Sequence, residues 1–334
     1  MEKINSKYSI IINPNQDDLQ GANFKFERFF FNEYRHLTQQ STGPLYSYYL
    51  VDEHSHSIEA RFSCFISDNQ VFSPIRAPFG GLEFNPKILT EDLYSFWQWI
   101  ANDLKKHWPS AIYINTFPFA YHPENQAIQT NLFLQKGFQI LQSELNYHLE
   151  ISNSQLRNLL HLSEKRRLDK CHQAGFKFEE WIHPDLTRVY DFVKKARQRK
   201  DYPITLDEKS FIKLFQSFPN DFQVFRVIRG TEIAALTVTV KINQRILYNF
   251  YPADNELYLK YSPQVLLIEG LYQYAQQKGF QILDLGIATE ASNPNFGLIR
   301  FKRNLGAIVS LKLKFVYNLP NYDFENLSQK PAST

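Results

Sequence analysis

Apolar positions along this chain recur in two rhythms, every second residue and every third or fourth, and the two alternate in a readable order. Leu45–Val51 and Ile58–Phe65 alternate or are rich in β-branched and aromatic residues, and a third run, Val71–Ile75, leads into the loop Arg76–Gly81; all three predict strands. Upstream of them, Phe24–Leu37 reads as a helix. Thr90 followed by Glu91 and Asp92 marks a helix start, and Leu93, Phe96, Trp97, Ile100 and Leu104 then fall at helical spacing until Pro109 sets a limit. A strand over Ala111–Thr116, a helix over Gln126–Lys136 stopped by Gly137, and a strand over Gln142–Glu150 complete the first half.

The second half repeats this order. Strand Ile246–Tyr251, polar loop Pro252–Tyr261, helix Pro263–Lys278, strand Phe280–Gly286 and an amphipathic segment Asn295–Asn304 closed by Gly306 follow one another. From Thr90 to Gly137 is 47 positions and from Ser262 to Gly306 is 44, which predicts two copies of one unit. The alternative is a chance likeness between two stretches of alternating helix and strand. Between the copies, Leu156, Leu159, Leu160, Leu168 and Cys171 can share an apolar face, predicting a helical connection over 154–175 that Gly175 ends. The expected fold is therefore α/β (α+β), with tandem duplicated domains, each a mixed β-sheet flanked by helices. The first domain is expected over 1–152 and the second over 153–322, with a flexible tail over 323–334. The element order of the second copy sets a helix N-terminus and two strand ends around one cleft, an arrangement that suits a transferase handling a polar or phosphate-bearing donor.

Composition narrows the classes. At 334 residues the chain exceeds what one hydrophobic core usually organises. With 43% hydrophobic and 16% aromatic residues it is not the composition of a disordered chain. No window approaches the ~18 consecutive apolar residues of a membrane span, and Met1–Asn13 lacks the pattern of a secretory signal, so the expected location is cytoplasmic. Cys64 and Cys171 stand far apart without a partner motif, and neither His172 nor His183 has metal-ligand spacing, so no disulfide, zinc site or other metal is expected. A net charge of +3 gives no overall nucleic-acid footprint. Basic character is local instead, in Glu164–Lys170 and in Lys194–Lys200.

Several segments together resemble a known family. Leu132–Phe138 and Asp284-Leu285-Gly286, in their strand–helix–strand settings, look like the GNAT acyltransferase fold. The duplication and the second-half signature resemble more specifically the FemABX group, also called BioF2-like acetyltransferase domains. The matching features are the helix Ser163 to Gly175 with Arg166 and Arg167, and the strand and loop bearing Tyr248, Tyr251, Lys260 and Pro263. They are followed by the Asp284-x-Gly286 strand end and the segment Gly297-x-x-Arg300-Phe301-Lys302-x-x-x-Gly306. The resemblance spans most of the chain and is strongest over 154–316. It implies transfer of an acyl or aminoacyl group to an amine-bearing acceptor, with aminoacyl-tRNA or acyl-CoA as a donor co-substrate and no permanently bound cofactor. One departure stands out. A CoA-binding GNAT carries glycines before its central helix so that backbone N–H groups can close on the pyrophosphate, whereas this chain has Leu259-Lys260-Tyr261-Ser262-Pro263-Gln264 there.

Acyl transfer needs a neutral amine, stabilisation of a developing oxyanion and protonation of the leaving atom. Lys302 is the candidate for electrostatic stabilisation, the alternative being a solvated lysine beside Arg300 and Arg303. Phe301 packs, or shields the cleft from water. Tyr248 and Tyr251 have opposite parity on a strand, so regular geometry turns at most one of them to the cleft; a tyrosine there can donate to an oxyanion or relay a proton. Asp284 is a candidate base, or else caps its following loop. Glu290 is a second, weaker carboxylate. Arg166, Arg167, Lys260 and Arg300 are candidate substrate-binding cations, Arg166 and Arg167 because guanidinium forks match phosphate oxygens. No nucleophile stands out, so direct attack by the amine is expected. Two further readings stay open: an acyl-CoA-dependent N-acetyltransferase of an amino sugar or small amine, and a non-catalytic ligand-binding module.

Overall fold

The computed structural model describes residues 2–4, 6–13, 21–40, 43–107, 109–202 and 206–319, so the expected tail over 323–334 lies outside the described residues. The chain divides into two compact units, Met1–Ser143 with Leu313–Thr334, and Glu144–Lys312.

Unit 1 begins with β1 (Glu2–Lys3) and β2 (Tyr8–Ile12), followed by α1 (Tyr34–Gln40), β3 (Leu45–Asp52), β4 (Ile58–Ser67), β5 (Gln70–Ser73) and β6 (Glu83–Phe84). It continues through α2 (Thr90–Lys105), β7 (Ala111–Asn115) and α3 (Pro123–Gln135) into β8 (Gln139–Glu150), which runs on into unit 2. The alternating strands pair as an antiparallel meander β1-β2-β3-β4-β5, and β5 lies parallel to β7 with α2 as the crossover. Leu93, Phe96, Trp97, Ile100 and Leu104, the predicted apolar stripe of α2, are all buried against Phe62, Phe84 and Ile112.

The expected helix Phe24–Leu37 is a correction. Phe24 makes an isolated bridge to Ile58, and only a 3-10 turn at Phe30–Asn32 and α1 are helical. Phe29, Phe30 and Phe31 are each at most 2% exposed, and three consecutive buried rings cannot share one face of a helix. An irregular segment turns all three inward.

Unit 2 contains α4 (Leu156–Leu159), α5 (Leu162–Gln173), β9 (Lys177–Glu180), α6 (Leu186–Gln198), α7 (Glu208–Ser217), β10 (Phe222–Arg229) and β11 (Glu232–Lys241). Then come β12 (Ile246–Asn249), β13 (Ala253–Asp254), α8 (Pro263–Lys278), β14 (Ile282–Ile287), β15 (Thr289–Glu290), β16 (Asn293–Pro294), α9 (Phe296–Asn304) and β17 (Ile308–Asn318), which from Leu313 runs on into unit 1. Its sheet runs β8-β14-β12-β11-β10-β9, with β12 and β14 parallel and joined through α8. Both units therefore hold the same parallel βαβ crossover, and each is a mixed sheet flanked by helices. The last strand of each copy, β8 and β17, is shared differently from the others: β8 pairs with β14 in unit 2, and β17 pairs with β7 in unit 1.

The core of unit 2 gathers Leu149, Leu247 and Leu283 from one sheet face under Leu267, Leu271 and Tyr272 of α8 and Leu168 and Cys171 of α5. Leu159, expected on that apolar face, is instead 41% exposed. Gly270 of α8 is the point of closest approach, because a Cβ there would lie 2.1 Å from the Phe178 ring. Residues 176–245, for which the hydrophobic pattern names no element, fold as β9, α6, α7, β10 and β11.

Candidate active site

Two parallel strands open the site. β12 and β14 stay in register from Ile246↔Ile282 to Tyr248↔Asp284. Beyond that pair β12 follows β11, with Phe250 and Tyr251 donating to the Val238 carbonyl at 2.9 and 3.1 Å. β14 turns toward β8, where Ala288 donates to the Leu145 carbonyl at 2.8 Å. The strands thus part at their carboxyl ends. A parallel crossover also brings the N-terminus of its helix, α8, to that end, and such crevices are where ligands sit in α/β sheets.

Unit 1 closes the equivalent gap. Past Ser73↔Ile114 the chain returns, Gly80 bridges Thr116 in parallel, and its N–H donates to the Asn115 carbonyl at 2.8 Å. A Cβ on Gly80 would lie 2.7 Å from Ser73 Oγ and 2.8 Å from Pro74 N, so only glycine allows this approach. The open crevice is the one in unit 2.

A bulge shapes its floor. The β14–β8 register shifts between Asp284 and Ile287, and Gly286 sits at φ +76°. Asp284, 2% exposed, locks this turn: its Oδ1 accepts from Gly286 N at 2.7 Å and from Asn146 Nδ2 at 2.9 Å. The bulged carbonyls of Gly286 and Ile287 both accept from Lys302 Nζ at 2.8 Å. Lys302, on α9, is 5% exposed and not a solvated lysine. Burial pushes its pKa down to about 7, opposed by attraction to Asp284. Tyr248 stands over the bulge, its hydroxyl 3.6 Å from where a Gly286 Cβ would be, and burial raises its pKa.

Lys302, Asp284 and Tyr248 are therefore brought together around Gly286. The other candidates are distributed differently. Tyr251, past the end of β12, is buried between Phe250 and Phe211, with the Arg197 guanidinium 5.4 Å from its ring. Phe301 packs on the hydrophobic core and Arg300 is exposed. Arg166 is exposed on α5, and Arg167 pairs with the fully buried Glu164 at 2.7 Å. Lys260 stands at the entrance to α8, where its Nζ, Lys170 Nζ and the Arg229 guanidinium lie 5.3, 5.2 and 5.6 Å from the Tyr261 ring. Ser262, in the left-handed region at φ 57°, precedes Pro263 of α8 without a side-chain cap bond. Glu290 is exposed in β15.

Sequence reasoning missed three groups that face Asp284. Asn146 and His148 come from β8, His148 directly across from Asp284 in the ladder. Lys312, on β17, feels the Asp284 and Glu144 carboxylates while burial lowers its pKa. The polar-apolar alternation of Asn146-Tyr147-His148-Leu149-Glu150 was the available signal, but the same alternation describes a strand with one wet face. Among the described residues no three His, Cys, Asp or Glu side chains are grouped to hold a metal, and no helix is long and apolar enough to cross a membrane.

Comparison with known proteins bears on the domain and the fold. Residues 161–303 match the sequence model of the family described as acetyltransferase (GNAT) domain. No curated protein matches the chain by sequence. Among solved structures, FemX superposes with a TM-score of 0.66 at 12% identity, covering 90% of this chain and 94% of its own. L-PGS from Bacillus licheniformis gives 0.54 at 10% identity over 94% and 95%, and a tandem GNAT protein from the clavulanic acid biosynthesis pathway gives 0.51 at 11% over 93% and 98%. At these identities the structural matches speak for the fold alone. Residues 161–303 are accordingly similar in sequence to a GNAT acetyltransferase domain, and the chain as a whole shares its fold with FemX and with the tandem GNAT protein.

Proposed function

We propose that this protein transfers an aminoacyl group from a phosphate-bearing donor, aminoacyl-tRNA, to a primary amine, within the crevice of unit 2. The observation that carries the reading is the crevice itself: parted parallel strands whose bulged floor holds Lys302, Asp284 and Tyr248 around Gly286. In this reading the amine attacks the donor carbonyl directly. Lys302 offers a further N–H to the developing oxyanion while its two other hydrogens stay on the Gly286 and Ile287 carbonyls, so the charge is already aimed before reaction. Tyr248 lends its hydroxyl to the leaving oxygen. Asp284 keeps the bulge in shape and moderates the loss of charge on Lys302.

The donor preference rests on the approach to α8. Lys260, Lys170 and Arg229 gather around Tyr261 with no acidic partner among the described residues, a setting for phosphate on side chains rather than on a glycine loop. An acyl-CoA donor would find no glycine between Leu259 and Gln264. Thermal melting of the full chain with alanyl-tRNA, uncharged tRNA, acetyl-CoA, CoA and a nucleotide-sugar-linked peptide tests this, because selective binding to the folded state raises Tm. The expected result is a rise with tRNA and with the peptide. A rise with acetyl-CoA alone transfers the reading to CoA-dependent acetylation, and no rise with any of the five refutes both.

A further inference from the structure

The bond between an amine and an acyl carbon does not form to completion unless the nitrogen loses a proton, and the residues singled out above do not supply a free acceptor. Lys302 is a donor to two carbonyls. Asp284 spends Oδ1 on the Gly286 N–H and on Asn146, which fixes it as a brace for the bulge.

His148 is placed to do what Asp284 is not. The ladder sets His148 opposite Asp284 and Asp284 opposite Tyr248, so the three side chains stand in a row on one face of the sheet. Leu149, Leu283 and Leu247, one step along each strand, turn to the other face and into the core under α8. His148 is 6% exposed, yet its Nδ1 has no hydrogen-bond partner among the described residues. A buried imidazole kept for packing alone satisfies its ring nitrogens. A buried lone pair without a partner among the described residues, beside Asp284 and in line with Tyr248, is a vacant proton acceptor.

On the reading of acyl transfer given above, we propose that His148 Nδ1 is the general base that takes the proton from the attacking amine, with Asp284 steadying the imidazolium. The nitrogen–carbon bond forms as the carbon–oxygen bond of the donor ester breaks. One N–H proton passes to Nδ1 and the Tyr248 hydroxyl protonates the departing oxygen; the imidazolium then releases its proton to solvent and Tyr248 regains one, so the enzyme ends the turnover as it began. Asp284 on β14 and Glu150 on β8 favour the charged ring, and burial disfavours it more, leaving the free imidazole in the neutral, basic form with a lowered pKa. Other titratable groups near this face are Tyr248 on β12, Lys302 on α9 and Lys312 on β17, each of which interacts with Asp284. Because the base form is the neutral one, the rate should rise with pH through the His148 pKa, and it should fall again as Lys302 loses its charge around its own pKa of about 7.

The test compares wild type with His148→Gln in the full chain, forming an amide from alanyl-tRNA, or separately acetyl-CoA, and a lysine-containing peptide. The expected loss in kcat is roughly 10²–10⁴-fold, with little change in KM and no acidic limb left in the pH profile. An imidazole NMR titration of the wild type needs no variant and should find His148 neutral at pH 7. A variant that keeps its rate and its acidic limb, or a ring found charged at pH 7, overturns the role of His148 while leaving the transferase reading in place. A wild type that forms no amide from either donor overturns the transferase reading, and this proposal with it.

Discussion

Replacing Lys302 with methionine should change how stability depends on pH, and the size follows from its surroundings. Burial lowers the pKa of Lys302 from 10.5 to about 7. At about 1.4 kcal/mol for each tenfold change in proton affinity, keeping this side chain charged in the fold costs about 5 kcal/mol. Below the folded value both states are protonated and the cost is complete. Between about 7 and 10.5 the unfolded chain holds a proton that the fold has released, so stability rises with pH across that window. Methionine removes the effect. It also leaves the Gly286 and Ile287 carbonyls without this donor, a loss of about 1–3 kcal/mol each. That loss does not vary with pH, so the comparison between two pH values isolates the charge. Urea unfolding of wild type and Lys302→Met at about pH 6 and about pH 9.5 should show the wild type gaining on the variant by about 3 kcal/mol. A difference that stays constant between the two conditions would refute a buried, easily neutralised Lys302.

Other perturbations test neighbouring parts of the account. Gly270→Ala should destabilise unit 2 by about 1–3 kcal/mol, read by urea unfolding, because the new Cβ would lie 2.1 Å from the Phe178 ring. Gly80→Ala should destabilise unit 1 by a comparable amount, since the Cβ would meet Ser73 Oγ at 2.7 Å and Pro74 N at 2.8 Å; unchanged stability would mean the gap between β5 and β7 is not closed as described. Asp284→Asn removes the carboxylate that supports the charged forms of Lys302 and His148, so both should titrate at lower pH than in the wild type, measurable by NMR of the two side chains.

The layout was legible in the sequence wherever a single period dominated. The stripe of α2, the Pro263 start of α8 and the glycines that end α3 and α5 all carry local signals that the structure uses directly. Phe24–Phe31 misled because aromatic density looks helical until the burial of consecutive rings is known. Lys302 carried a signal that composition obscures: it lies four residues after Leu298 and three before Leu305, on the apolar stripe of α9, where a cation must be desolvated. His148 and Asn146 were illegible for a different reason. Alternation places them on one face of β8, but only the partner strands decide whether that face is wet or looks onto Asp284.

The most direct test of the central claim, that the unit 2 crevice joins an acyl group to a primary amine, is mass spectrometry of a lysine-containing peptide incubated with alanyl-tRNA and the full chain. The account predicts a peptide heavier by one alanyl residue with wild type, and loss of that product with Lys302→Met under conditions where the variant remains folded. An unmodified peptide with wild type, or the same yield from the variant, would contradict it.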